Sequence, residues 1–355
     1  MMVSKLKQPF EEVSQKSDTF RLSRKSHGHR LRMMYNVISR LTGVFLVALA
    51  TGVSAQSVPH STLHMIDRYA VNPAFAGLES SLSVTADYRT QWVGLPGNPV
   101  QKYLNAHLPF YLWKGALGME VYHESIGAQK ALHATLSYNY VLETSIGLFS
   151  AGLGAGLTQQ SLDGSILRAP DGEYEGPTII HHDPVLPNGV VSGIAPLFRA
   201  GVYFAGDRFE AGIGVENYTP GTIKLDGVEI RDRAAVNVFA EYFIESLRDI
   251  NLYPTVFLMS DLVRTQINIA LRAEYRDFLI FGAGVRGYSG STLDALELIG
   301  GLRLSDHLHV YYSYDLTLSA LNAGTEGSHE VMLRYNLGKV IGAGLPPPII
   351  YSPRF

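Results

Sequence analysis

The stretch "NPAFAGLESSLSVTADYRTQW", Asn72 to Trp92, opens on a turn-like Asn-Pro and then alternates. Leu82, Val84, Ala86 and Tyr88 fall on one side, and Ser83, Thr85, Asp87 and Arg89 on the other. Strict alternation is the signature of a strand with two unlike faces. The polar face carries charge, so the partner of the apolar face decides the fold.

The pattern recurs along the chain. Leu132, Ala134, Leu136, Tyr138 and Tyr140 alternate with His133, Thr135, Ser137 and Asn139. Ile267, Ile269, Leu271, Ala273 and Tyr275 alternate with Gln266, Asn268, Arg272 and Glu274, and Val331, Leu333, Tyr335 and Leu337 with Glu330, Arg334 and Asn336. Fourteen such segments are predicted, near 81–89, 100–109, 115–125, 130–141, 146–160, 197–205, 209–217, 234–244, 250–260, 265–275, 278–288, 293–304, 307–316 and 327–337. Most are joined by short turns, whereas 161–196 and 218–233 are long and rich in Pro, Gly and Asp.

Segments of about ten residues exceed the five or six usual in soluble sheets and match a tilted bilayer crossing. An even number of antiparallel strands, short turns at one end and long loops at the other describe an all-β transmembrane barrel of about fourteen strands. The competing reading is a soluble β-sandwich. Its strands would be weakened by the Gly-rich runs "GLFSAGLGAGL" and "FGAGVRGY", which a bending barrel wall tolerates. Pro254 stands against the barrel, because a closed sheet has no free edge to place it on. Tyr111 and Trp113 are candidates for an interfacial aromatic girdle.

On this reading the lumen side carries Asp87, Glu120, Glu210, Glu216, Glu241, Glu274, Glu297, Asp315 and Glu330, with Arg89, Arg272, Arg286, Arg303 and Arg334. Mixed signs predict ion pairs across the lumen, and a plugged or lined interior over a wide passive pore. Arg substitutions at Ser137 or Asn336, facing the lumen, are expected to be milder than at Leu136 or Leu333, facing lipid.

Of 355 residues 46% are hydrophobic and 17% charged, below the roughly 25% charge typical of soluble domains. Residues 33–55 follow the order of a secretory signal, with Arg40, an apolar run to Ala50 and small residues ending Val53-Ser54-Ala55, so cleavage is expected after Ala55. Residues 1–32 are a polar extension, read as a start placed too far upstream. The barrel domain is then 56–337, with a tail at 338–355. Residues 1–55 hold nine of the 29 Lys and Arg and three of the 32 Asp and Glu, leaving 20 basic against 29 acidic residues downstream. That acidic balance argues against a nucleic-acid partner. Outer-membrane lipid is the expected surrounding.

There is no Cys, which excludes disulfides and thiolate metal sites. The tight group His181-His182-Asp183 lies between prolines and is read as solvated loop rather than a metal site. No nucleophile elbow occurs, and "GLGAGL" sits inside a strand without the helix that a phosphate loop needs. Catalytic residues, a cofactor and a metal are therefore not expected.

Four stretches, "YAVNPAFAG" (69–77), "YRTQWVGLPGNP" (88–99), "YYSYDLTLSAL" (311–321) and "GSHEVMLRYNL" (327–337), resemble the PorP/SprF family of type IX secretion outer-membrane proteins. The matching positions are Asn72-Pro73-Ala74, Arg89-x-Gln91-Trp92 and His329-Glu330. The resemblance implies a non-catalytic outer-membrane barrel of the secretion or gliding machinery that supports export and anchoring of a large adhesin through its C-terminal domain. It also implies a periplasmic secretion-system or peptidoglycan-binding partner. From the residues alone, Arg89 and Trp92 read as a lumen charge and an interfacial anchor, and His329-Glu330 as a pair fixing the barrel seam. A solute channel is the alternative function. The loop 161–196 exceeds the length at which structureless connections are ordinary, and Tyr174, Ile179 and Ile180 are its candidate partner contacts.

Overall fold

A computed structural model describes residues 61–341 except 111–112, 175–178, 184, 233, 246–248, 277 and 289–291. The signal segment, the polar extension, Tyr111, Glu175 and tail residues 342–355 lie outside the described residues.

The first seven strands are β1 (Ser83–Thr90), β2 (Val100–Phe110), β3 (Gly115–Ile126), β4 (Gln129–Thr144), β5 (Gly147–Asp163), β6 (Val190–Ala205) and β7 (Phe209–Tyr218). A small separate hairpin follows, β8 (Ile223–Leu225) with β9 (Val228–Ile230). The wall resumes with β10 (Ala235–Tyr242) and its two-residue continuation β11 (Ile244–Glu245). It is completed by β12 (Ile250–Ser260), β13 (Thr265–Tyr275), β14 (Leu279–Tyr288), β15 (Thr292–Arg303), β16 (Leu308–Thr317) and β17 (Ser328–Asn336). Counting β10 and β11 as one staff, fourteen antiparallel strands pair in chain order, β10 pairs with β12 and β1 pairs with β17, so the sheet is closed.

All fourteen predicted segments are present. The predicted boundaries fall short at β5 and β6, which run to Asp163 and from Val190, so the long loop is 164–189 rather than 161–196. Pro254 is accommodated where the wall is already interrupted. It lies opposite the join of β10 and β11, between the pairings Glu241↔Thr255 and Ile244↔Leu252, where the ladder on that side is interrupted.

Alternation sets the two faces. Leu136 and Leu333 point outward, at 69% and 48% exposure, while Ser137 and Asn336 are buried inside. The long connections 91–99, 164–189, 219–234 and 318–327 all leave one end, and those at the other end have four residues or fewer. The long-loop end is the outer surface and the short-turn end the periplasmic one. Trp113 is exposed at the periplasmic turn, edge-on to Phe110.

Residues 61–82 do not belong to the wall. They fold into the lumen as two short 3-10 turns, Thr62–Met65 and Pro73–Phe75, and reach β1 at the periplasmic end. Leu63, Met65, Ile66, Tyr69, Ala74 and Phe75 form one buried apolar cluster with inward side chains of the wall. Those wall residues come from β3, β6, β10 and every strand from β12 to β17, so the plug meets the wall around the ring. A lumen that would otherwise bury unpaired charge in water-filled space is instead a packed core.

Candidate functional site: the plugged lumen

The plug is fastened at four ionic stations. At the outer end, Arg89 on β1 lies directly across the seam from Glu330 on β17. Its guanidinium donates to Glu330 Oε2 at 2.8 Å, to Asp315 Oδ2 at 2.6 Å and to Thr62 Oγ1 of the plug at 3.1 Å. Glu330 also accepts the Thr62 backbone N–H at 2.8 Å, and the Thr62 hydroxyl donates to Asp315 at 2.9 Å. Arg286 extends the group through Asp315 at 3.0 Å and Glu297 at 3.2 Å.

The second station is Arg68 of the plug, between Glu210 at 3.1 Å and Glu241 at 2.6 Å, with its guanidinium 5.1 Å from the Phe239 ring. Arg272 joins it by pairing with Glu241 and Glu274. At the third, Arg199 on β6 pairs with Glu120 and with Glu216 at 2.7 Å while donating to the plug carbonyls of Tyr69 at 3.0 Å and Ala70 at 2.8 Å. The fourth is periplasmic, where Arg334 pairs with Glu79 of the plug and Asn336 donates to the same carboxylate at 3.0 Å. Buried carboxylates and guanidinia of this kind persist only when each has its partner.

Between these stations the plug is held by backbone contact. Asn72 caps the second turn, its Oδ1 accepting from Ala74 N at 2.9 Å, with Pro73 in the first helical position. Its amide donates to the Val202 carbonyl of β6 at 3.1 Å. Asn139 of β4, fully buried, donates to the carbonyls of Ala74 at 2.8 Å and Ala76 at 2.7 Å. The turn rests on glycines. A Cβ on Gly152 of β5 would stand 2.6 Å from Ala74 N, and one on Gly214 of β7 would stand 2.7 Å from Val71 O. Gly152, Gly201, Gly212 and Gly214 thus seat the plug, whereas Gly154 and Gly156 of β5 and Gly282 and Gly284 of β14 lie against neighbouring strands of the wall.

Two cavities flank it. One of about 210 Å³ opens at the periplasmic end beneath Ile66, Arg68, Phe75 and Glu79 of the plug. A smaller one of about 80 Å³ lies between Asp67 and the inward side chains Asp87, Tyr103, Glu120 and His133. The outer mouth is covered by the β8–β9 hairpin, whose Ile223 and Leu225 pack on Leu162, Val191 and Ala195 inside the rims of β5 and β6. Burial pushes the Asp232 carboxyl above its usual range, opposed by the Gln160 amide, which donates to it at 2.9 Å.

Of the residues singled out by sequence, Asn72, Pro73, Arg89 and Glu330 converge on the plug. His329 does not, because consecutive strand residues point to opposite faces: it lies outside, its Nδ1 2.7 Å from the Tyr312 hydroxyl. Gln91 and Trp92 shape the outer loop through their backbones. Asn98 donates to Gln91 O at 2.8 Å, and Trp92, at a φ of 52°, donates its N–H to Ser328 Oγ at 3.1 Å. Arg303, the last residue of β15, keeps the inward parity of Glu297 and Ile299 but stands at the periplasmic mouth, away from the plug's ionic stations. It sits at a periplasmic turn, 3.3 Å from exposed Asp306. His181, expected to be solvated, is buried, its ring bridging the Tyr174 hydroxyl and the Gly164 carbonyl at 3.0 Å each. Tyr174 is therefore committed to holding its own loop, whereas Ile180 is exposed and Ile179 half-buried. Among the described residues, no group of His, Cys, Asp and Glu is arranged to hold a metal ion.

A family model described as type IX secretion system membrane protein PorP/SprF matches residues 53–335. The chain belongs to the PorP/SprF family. It is a non-catalytic outer-membrane barrel of that secretion system, and the match covers both the plug and the wall. No match was found among curated proteins. Solved structures similar in fold include the Acinetobacter baumannii outer membrane protein Omp33, at 11% identity and a TM-score of 0.42, covering 73% of this chain and 99% of that one. Others are the Ralstonia pickettii toluene transporter TbuX, at 12% and 0.46, covering 81% and 96%, and the monoaromatic hydrocarbon channel CymD, at 15% and 0.47, covering 82% and 96%. The PorP/SprF plug includes the Asn-Pro-Ala element, and Arg89 and Glu330 close the seam over it.

Proposed function

We propose that this PorP/SprF barrel is a non-conducting platform that supports secretion and surface anchoring of a large adhesin-type protein through that protein's C-terminal domain. The observation that carries the reading is the plug. A wall filled by a segment of its own chain, held at the outer end by charge-assisted hydrogen bonds to Thr62 and at the periplasmic end by the Glu79–Arg334 ion pair, is built to present surfaces rather than to pass solutes. The outer surface for the cargo is the loop 164–189, with Ile179 and Ile180 as apolar contacts and Tyr174 keeping the loop in shape. The periplasmic cavity beneath the plug faces the compartment where a secretion-system or peptidoglycan-binding partner resides.

Two measurements test this. Purified protein in planar bilayers is expected to show no steady conductance, and a large stable conductance would transfer support to the solute-channel reading. A strain lacking the barrel is expected to lose surface display of its adhesin. Display at the wild-type level in that strain removes the anchoring role. Replacing 167–187 by a short Gly-Ser turn is expected to leave the barrel folded, because loop length changes closure entropy little, and to weaken display if the loop is the contact.

A further inference from the structure

The outward face of the wall is not uniform. At its outer rim, one sector spanning β16, β17 and β1 to β4 carries basic side chains on the lipid side. Lys102 on β2 is exposed, lies directly opposite Tyr88 on β1 and, on its other side, opposite His123 on β3. One rung nearer the rim, exposed Lys130 on β4 faces Ser125 of β3, and His329 on β17 faces Thr90 of β1. Neighbouring strands are about 4.8 Å apart, so these groups share one continuous patch. At the same height from β6 to β15, outward positions are apolar, small or uncharged polar, as with Ile194, Val215, Val236, Leu258, Ile267, Val285 and Leu296.

The patch is organised. His329 is held by the Tyr312 hydroxyl, its ring lies 5.2 Å from that of Tyr314, and the Tyr314 hydroxyl donates to Glu326 O at 3.0 Å. Among the described residues, Lys102 and Lys130 have neither an ion pair nor a side-chain hydrogen bond. The carboxylate that feels Lys130, Asp163, already accepts from Ser165. A lysine facing hydrocarbon is tolerated near an interface, where its stem lies along the wall and its ammonium reaches the headgroup layer. Several on one sector, framed by tyrosines and offset only in part by Asp163 beside Lys130, leave positive charge for something in that layer to neutralise.

We propose that Lys102, His123, Lys130 and His329 form a binding surface for the phosphate groups of a phosphorylated glycolipid in the outer leaflet. The framing tyrosines sit at headgroup depth, and the apolar wall one rung below Lys102, with Leu104, Val121 and Leu333, takes the acyl chains. This surface is independent of the plug and of the anchoring role.

The test uses the full chain in detergent, with native mass spectrometry counting bound diphosphoryl lipid A. The comparison set is the dephosphorylated lipid, the K102Q/K130Q double variant and, as a control, Lys224→Gln on the exposed β8–β9 hairpin. Wild type and the control are expected to bind the diphosphoryl form. The double variant is expected to bind about thirtyfold more weakly, from roughly one lysine's worth of headgroup attraction each. Retention of the heat-dependent gel shift in the double variant establishes that its barrel is folded. Equal binding by the double variant, or equal binding of the dephosphorylated lipid, overturns the proposal. Displacement of the lipid by inorganic phosphate overturns it too, since the site would then be one for a free anion.

Discussion

The plug is fastened in two different ways, and the contrast explains why both are present. Its ends are tied by charge, through Thr62 to Arg89, Asp315 and Glu330 and through Glu79 to Arg334. Beyond the Arg68 and Arg199 stations, the stretch Val71 to Ala76 is tied by close backbone packing on Gly152 and Gly214 and by the Asn139 amide. Ionic ties in a buried setting are severe when broken, because the surviving partner is stranded. Packing ties fail locally and leave the wall intact. The first kind couples the plug to closure of the barrel, and the second sets where the plug lies.

Removing Arg89 breaks the charged tie most completely. Arg89→Leu is expected to destabilise the folded barrel by about 3–5 kcal/mol, since buried Glu330 loses its guanidinium partner and Asp315 keeps only Arg286. The midpoint of the heat-dependent gel shift reads it, and Arg89→Lys should recover only part, because one ammonium cannot span both carboxylates in the same fork. A barrel indifferent to Arg89→Leu would show that the seam does not depend on the tie.

The filled lumen also revises the expectation for Arg on the two faces of β4. Leu136→Arg, mid-strand and facing lipid, is expected to cost about 2–4 kcal/mol. Ser137→Arg is not milder, because Ser137 is buried with its hydroxyl 2.8 Å from that of fully buried Tyr69 of the plug. Comparable loss of stability in both variants supports the plug, and a harmless Ser137→Arg points to an empty lumen.

The packing tie is tested by Gly152→Ala, expected to cost about 1–3 kcal/mol by overpacking against the Ala74 backbone. The wall survives this change, so the readout is new transient conductance in bilayers with little change in the gel-shift midpoint. Asn72→Ala is the smallest step, about 1 kcal/mol for the lost cap, and should increase protease access to the plug without opening a pore.

The wall was legible in the sequence because alternation is a property of neighbouring residues. It placed all fourteen segments, and it put Leu136 outward and Ser137 inward. The plug was not, since 61–82 has neither alternation nor helical periodicity, and its contacts are set by residues far away in the chain. The glycines of β5 to β7 carry a second signal besides wall curvature. Of those at alternate positions on β5, Gly152 lies against Pro73 and Ala74 of the plug, while Gly154 and Gly156 lie against the neighbouring strands β4 and β6. Arg199 was left out of the inward set although it lies between outward Phe198 and Ala200, and it proved to hold two plug carbonyls. The outer ends of β5 and β6 are longer than the alternation indicates, because strand patterning fades into the Pro- and Gly-rich loop.

The Thr62–Glu330 tie joins residues 268 positions apart. Contacts of such separation form late, after the intervening loop entropy has been overcome. The first described segment of the chain therefore waits for the last strand to be delivered before its outer anchor exists. Closing the seam and completing that outer anchor draw on the same side chains, Arg89 and Glu330, so neither is finished before the other.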